Sequence, residues 1–203
     1  ELLKQAQEVA EVLASDSEEN PGLILGAALA RTPGEMGNRD KIGIVADGTH
    51  IVGFGDWAEQ LIAESTGKLS KGVLPVVLDP SSAELHSGLA DLLAVHVQAD
   101  AKPISGDAVS VSGSLGAQFM LWEYATVVAS RLIGINPFDQ PDVESAKIAA
   151  RGMLEQRDAV IAPMFTDNQI EVRATELQIS GTSVVDAVQA LLSNLDDDEG
   201  YVS

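Results

Sequence analysis

Lys41-Ile42-Gly43-Ile44-Val45-Ala46 is a short apolar run, and the stretch after it is broken by Gly48, Gly53 and Gly55 before Asp56-Trp57-Ala58-Glu59-Gln60-Leu61-Ile62 begins. The first segment is not interrupted by polar residues in alternation, so it reads as a strand buried on both faces. The second reads as a helix starting at Asp56. Aspartate is a good N-cap, Glu59 stands at capping-box spacing, Trp57, Leu61 and Ile62 turn inward, and Gly67 marks the end. A strand, a glycine-rich turn and a helix in succession are the repeating element of a parallel sheet.

The same alternation continues on both sides. Toward the N-terminus, Leu2, Leu3, Val9, Val12 and Leu13 share one helical face, and Asn20-Pro21 is an N-cap followed by proline at the first helical position, opening a second helix to about Arg31. Gly34 to Asp40 reads as a polar loop. Toward the C-terminus, residues 72–78 (GVLPVVL) and 92–97 (LLAVHV) are further apolar strand candidates, and Ser114 to Leu132 is the longest helical segment. Pro137 and Pro141 forbid regular structure in the loop from Gly134, after which a helix is expected over about Asp142 to Gln156. The expected class is therefore α/β, a three-layer α/β/α sandwich with a mainly parallel sheet, occupying residues 1–157.

From Asp158 the character changes. Val160-Ile161-Ala162, Ile170 to Ala174 and a helix from Ser183 to Leu192 predict a β-β-α appendage over residues 158–203, ending in the acidic run Asp196 to Glu199. The chain begins without Met inside a helical pattern and ends at Gly200-Tyr201-Val202-Ser203, which resembles the start of a strand. Both ends read as cut.

Composition narrows the function classes. The formal net charge is -19, from 12 basic and 31 acidic residues. Such a surface repels both a phosphate backbone and an anionic bilayer, so neither nucleic acid nor membrane is an expected partner. There is no cysteine, hence neither disulfide nor thiolate metal site. No apolar run reaches bilayer-spanning length and no signal segment opens the chain, so the expected location is cytoplasmic. His50, His86 and His96 sit at no metal-ligand spacing, and His96, inside an apolar strand, reads as a core histidine with a satisfied ring. Gly53-Phe54-Gly55 lacks the third glycine of a dinucleotide fingerprint, and no Walker loop or nucleophile elbow is present. No metal or organic cofactor is expected.

Two segments are more particular than ordinary scaffold: residues 55–68 (GDWAEQLIAESTGK) and 136–147 (NPFDQPDVESAK). The first resembles the QLxxESxGK stretch of the phosphoglucose isomerase family, and the second resembles that family's C-terminal signature, usually written with FDQxGVExxK. Phe138, Asp139, Gln140, Val143, Glu144 and Lys147 are in register, whereas Asp142 stands where the family pattern has glycine, which puts a local turn or cap in doubt. The resemblance covers roughly residues 20–151 and is greatest to the actinobacterial type. It implies the second of two sugar-isomerase (SIS) domains of an enzyme that interconverts glucose 6-phosphate and fructose 6-phosphate through an enediol, acting as a homodimer.

That resemblance also implies roles. Glu64 would be the base that moves a proton between C2 and C1, a task suited to a carboxylate in a partly dry pocket. Otherwise it is a solvated glutamate near a helix end. Lys147 would help open the sugar ring, with Gln140 lining the same pocket; alternatively Lys147 pairs with Glu144. Ser65, Thr66 and Lys68 either approach the ligand or cap the helix end, and Asn136 and Asp139 are expected to hold their loop through backbone amides. His86, in Leu85-His86-Ser87 and 22 residues after Glu64, matches the position of a ring-opening histidine in some members; the other candidate is a histidine beyond residue 203. No Ser/Thr-rich phosphate cradle is present, so phosphate binding falls to the first domain. The isolated chain is then expected to be inactive. Two rival readings are a regulatory domain that binds sugar phosphate without catalysis, and an assembly module whose apolar faces cause self-association.

Overall fold

Ile42 and Ile44 alternate with Gly43 and Val45 along a six-residue strand, and this strand lies in the middle of the sheet. In the computed structural model, which describes residues 1–30, 32–34, 37–100, 102–104, 106–155, 161–174 and 178–195, the helices are α1 (Leu2–Leu13), α2 (Pro21–Leu29), α3 (Phe54–Thr66), α4 (Leu115–Ile133), α5 (Pro141–Glu155) and α6 (Val184–Leu192). The strands are β1 (Thr32–Gly34), β2 (Gly37–Arg39), β3 (Lys41–Ala46), β4 (Leu74–Leu78), β5 (Leu92–Gln98), β6 (Ala108–Ser112), β7 (Phe165–Asp167) and β8 (Ile170–Val172). β4, β3, β5 and β6 form one sheet in that order, parallel throughout, with Ile44 opposite Val77 and Val95, and Val95 opposite Val109. A four-stranded parallel sheet flanked by helices is the α/β class expected, of the three-layer type.

Burial follows the register. Ile42, Ile44, Leu93, Val95, Val97 and Val111 join one core cluster with Leu25 and Leu29 of α2, Phe54, Ala58 and Ile62 of α3, and Trp122, Ala125 and Ala129 of α4. Phe54 lies against Trp57, Phe119 and Trp122 with ring centroids 5.4, 6.0 and 5.7 Å away. Aromatic pairs at such separations add to the hydrophobic gain of burial. α2 sits close on α4 because a side chain at Gly26 would meet Val128 and the Ala125 carbonyl. Asn20 caps α2, accepting from the Gly22 amide at 2.9 Å, with Pro21 at the first position.

Several expectations need correction. α3 starts at Phe54, two residues before Asp56, because Gly53 takes the N-cap position in a left-handed conformation (φ 74°) and Phe54 is drawn into the aromatic core; no side chain caps this end. The polar loop expected over 34–40 contains instead β2, which pairs antiparallel with β1 just before it, Gly34 standing opposite Gly37. β6 is a strand where none is expected from the sequence. The helix expected over about Asp142 to Gln156 is present as α5, with Pro141 at its first position, where the missing N–H costs no hydrogen bond.

Two compact units make up the chain, Glu1–Lys147 and Ile148–Ser203. The 157/158 boundary, Gln156, Val160 and the acidic run Asp196 to Glu199 lie outside the described residues, as do Gly200 to Ser203 and Arg31. In the second unit the hairpin strands are residues 165–167 and 170–172; Ile161 and Ala162 are not in a strand, and the second strand stops at Val172 rather than Ala174. Asn168 and Gln169 are both left-handed (φ 47° and 70°), which makes a two-residue hairpin turn and requires the partner strand to end at Asp167. α6 then starts at Val184 behind the N-cap Ser183, whose hydroxyl and the Asp186 carboxylate form a reciprocal capping box, and the Val184 amide donates to Asp167 at 2.9 Å.

Candidate active site

Gln60 and Glu64 are four residues apart on α3, so they share a face, and the Gln60 amide donates to Oε1 of Glu64 at 3.0 Å. The other carboxylate oxygen faces the loop after α4, where Gln140 donates to Oε2 at 3.4 Å. These three side chains, with Trp57, Leu61 and Ser65, line an open cavity of about 290 Å³. That is close to the lower end of the range of small-molecule sites. The wall of Trp57 and Leu61 is apolar and the polar groups converge on one carboxylate. Such a carboxylate is able to accept and return a proton. Glu64 itself is exposed, not enclosed in a partly dry pocket.

Three of the six candidate residues, Glu64, Ser65 and Gln140, come together at this cavity. Thr66 is next in sequence yet points away: it is 1% exposed, its hydroxyl donates to the Ile62 carbonyl at 2.8 Å and accepts from the Val73 amide at 3.3 Å. Lys147, on α5, forms an exposed ion pair with Glu144 at 3.0 Å and is not among the residues lining the cavity. His86 is exposed on the 3-10 turn Ala83–His86 and borders a different cavity, of about 460 Å³, shared with Leu92, His96 and Asp107.

Lys68 belongs to neither cavity wall and is 4% exposed. Its ammonium donates to the Asn136 carbonyl at 3.0 Å, to the Asp139 carbonyl, and to the Asp139 carboxylate at 3.2 Å. Asn136 additionally accepts from the Phe138 amide through Oδ1 at 3.1 Å, which is the loop-holding role expected of a short polar side chain.

A second polar group lies at the C-terminal ends of β3 and β5. Asp47 accepts from Gln98 at 2.8 Å and lies 3.2 Å from Nδ1 of His96, while Oε1 of Gln98 accepts from the Ser110 hydroxyl at 2.8 Å and the Lys102 amide at 2.9 Å. The Gln98 hydrogen bond, opposed by partial desolvation and reinforced by His96, holds the Asp47 carboxyl below its ordinary range. One ring nitrogen of His96 thus faces a carboxylate, but the residue is partly exposed and borders the cavity of about 460 Å³ rather than lying in the core as expected. Among the described residues no group of three or more His, Asp or Glu side chains is arranged to hold a metal ion, and no helix is long and apolar enough to cross a membrane.

Gln60, Trp57 and Leu61 line the cavity without being singled out by the sequence motifs for their own sake. Their spacing of four, seven and three from Glu64, respectively, is the signal that places them on its face of the helix.

No protein-family model matches the chain, and no curated protein matches it in sequence. Solved structures do match in fold. Hypothetical protein TT0462 from Thermus thermophilus aligns with a TM-score of 0.55 at 18% identity, over 76% of this chain and 50% of that one. A glucose-6-phosphate isomerase from Chlamydia trachomatis aligns with a TM-score of 0.57 at 14% identity, over 76% of this chain and 42% of that one. At these identities the likeness is one of fold. The chain spans half the length or less of both structures.

Proposed function

We propose that this chain is the second sugar-isomerase (SIS) domain of a cytoplasmic glucose-6-phosphate isomerase of actinobacterial type, with residues 1–157 as that domain and 158–203 as an appendage. The observation that carries the reading is the meeting of two distant motif segments at one carboxylate: Gln60 and Gln140 bond the two oxygens of Glu64 at a cavity that Trp57, Leu61 and Ser65 complete. The shared fold with a glucose-6-phosphate isomerase supports it.

In the proposed reaction the Glu64 carboxylate takes the proton from C2 of the open-chain aldose while O1 takes up a proton from solvent, giving the enediol; Glu64 then delivers its proton to C1 as the O2 hydroxyl gives up its own to solvent, leaving the C2 ketone. The change is redox-neutral, so acid–base groups suffice and no cofactor is required. Gln140 holds the carboxylate and a sugar hydroxyl, Ser65 adds a polar contact at the wall, and Lys147 moves from Glu144 to the ring oxygen when substrate arrives. Ring opening falls to His86 of a second subunit in a homodimer or to a histidine outside this chain. The first domain supplies the phosphate grip and covers Glu64, drying a carboxylate that is otherwise exposed. The chain by itself is then inactive.

A second reading, a regulatory domain that binds sugar phosphate without turning it over, is favoured by one observation: Lys147 is paired with Glu144 away from the cavity lining. The deciding experiment compares the full-length wild-type protein with Glu64→Gln for conversion of fructose 6-phosphate to glucose 6-phosphate. Turnover is expected to fall by about a hundredfold or more with substrate still bound. Equal turnover in the two proteins removes Glu64 as the base, and binding without turnover in the wild type selects the regulatory reading.

A further inference from the structure

We infer that Lys68 is a positioning residue, a buried staple that fixes the loop of residues 136–140 on the end of α3 and thereby sets Gln140 against Glu64. Its side chain is 3% exposed, which is rare for lysine. An ammonium has three protons to donate. Here they meet three acceptors, the carbonyls of Asn136 and Asp139 and the Asp139 carboxylate, all on a loop that Pro137 prevents from forming regular structure. Gln140 follows Asp139 directly.

Stability alone does not account for this arrangement. An apolar side chain of similar length fills such a space at less desolvation cost, and the one carboxylate that pairs with Lys68 is itself 55% exposed. The chain also accepts backbone strain beside the staple. Leu69 and Ser70, immediately after Lys68, are both left-handed, with φ of 58° and 55°, a conformation that L-residues with side chains rarely adopt. Gly72 (φ 112°) completes the return to β4 where a Cβ would lie 2.6 Å from the Thr66 carbonyl. Strained turns persist where neighbouring contacts over-determine them; here the Lys71 amide donates to the Lys68 carbonyl at 3.0 Å beside the anchored Lys68 side chain. The Lys71 ammonium, from the other end of the turn, lies 3.5 Å from the carbonyls of Ile133 and Gly134 at the C-terminal end of α4, which leads into that loop.

The catalytic consequence rests on the isomerase reading, whereas the stapling does not, and the test separates them. The sequence contains no cysteine, so Ala63→Cys with Phe138→Cys places two unique spin labels on α3 and on the loop, both at exposed positions. Electron paramagnetic resonance on the chain is expected to give a narrow distance distribution, at least about twofold broader after Lys68→Met. An unchanged width overturns the inference. Should Lys68→Met fail to fold, Asp139→Ala removes one acceptor from the exposed side and is expected to broaden the distribution by a smaller factor; no broadening again overturns it.

In the full-length protein, Lys68→Met is expected to lower kcat at least about tenfold with KM within about threefold, the signature of lost alignment. Combined with Gln140→Ala it should cost no more than about twofold beyond Lys68→Met alone, because both changes remove the same placement. Multiplying losses overturn the positioning role. A wild-type protein without isomerase activity defeats the functional reading and leaves the distance measurement to decide the staple.

Discussion

The Gln140 amide lies 3.4 Å from Oε2 of Glu64, across 76 positions of sequence. The other oxygen of Glu64 is held more closely, at 3.0 Å, by Gln60 from the same helix. One carboxylate is therefore gripped from its own element and, more loosely, from a loop, an asymmetry with measurable effects.

On the isomerase function proposed above, and because the Gln60 bond survives it, Gln140→Ala is expected to lower kcat/KM by about tenfold, the size of one lost polar contact. That is roughly an order of magnitude less than Glu64→Gln. Steady-state kinetics on the full-length protein distinguish the two, and a Gln140→Ala enzyme as impaired as Glu64→Gln would show that Gln140 does more than hold the carboxylate.

The Asp47 network predicts a pH effect of definite sign. A carboxyl held below its ordinary value of about 4 contributes stability above that value and loses it as the pH falls through the lower folded-state value. Asp47→Asn removes the titration. The melting temperature of the variant should lie below that of wild type at pH 7, with the gap narrowing by about pH 3. Since the Asp47 side chain is 42% exposed, the effect on stability is only tenths of a kcal/mol, as for other solvent-screened pairs. A gap that widens on acidification would contradict the assignment.

Two glycine substitutions should act in opposite directions. At Gly26 an added Cβ lies 2.5 Å from Cβ of Val128 and 2.7 Å from the Ala125 carbonyl, so Gly26→Ala pushes α2 from α4 and costs about 1–3 kcal/mol despite its better helix propensity. At Gly152 in α5 no atom of the described residues lies within 4 Å of an added Cβ, and Gly152→Ala should stabilise by up to about 1 kcal/mol. Denaturant titrations of both variants against wild type check the pair.

How far the fold is legible in the sequence depends on how each element is buried. β3 and β5 are interior strands and announce themselves as apolar runs. β6, at the edge, reads Ala108-Val109-Ser110-Val111-Ser112, an alternation that a search for continuous apolar runs passes over although it is the ordinary pattern of a half-covered strand. Asn20-Pro21 and Ser183 mark helix starts correctly because their side chains or ring determine the local geometry. Asp56 misleads, since the burial of Phe54 and the left-handed Gly53 outweigh a favourable cap residue. At the site, the Gln60–Glu64 contact follows from helical spacing. The approach of Gln140 and the staple of Lys68 depend on tertiary packing between segments 68 to 76 residues apart in sequence, whereas the inward turn of Thr66 is made with near neighbours, Ile62 and Val73, on the buried side of the helix end.

The central place of β3 also has a consequence for how the chain reaches its native state. Its neighbours β4 and β5 are both parallel to it, so neither joins it through a tight turn, and each pairing closes a long loop before any ladder bond is gained. Assembly of this sheet is thus slow compared with a helical bundle of equal size. Until both neighbours arrive, the apolar edges of Ile42, Ile44 and Val45 stay open to a second unfolded copy, and concentration during refolding becomes the variable that decides between native sheet and aggregate.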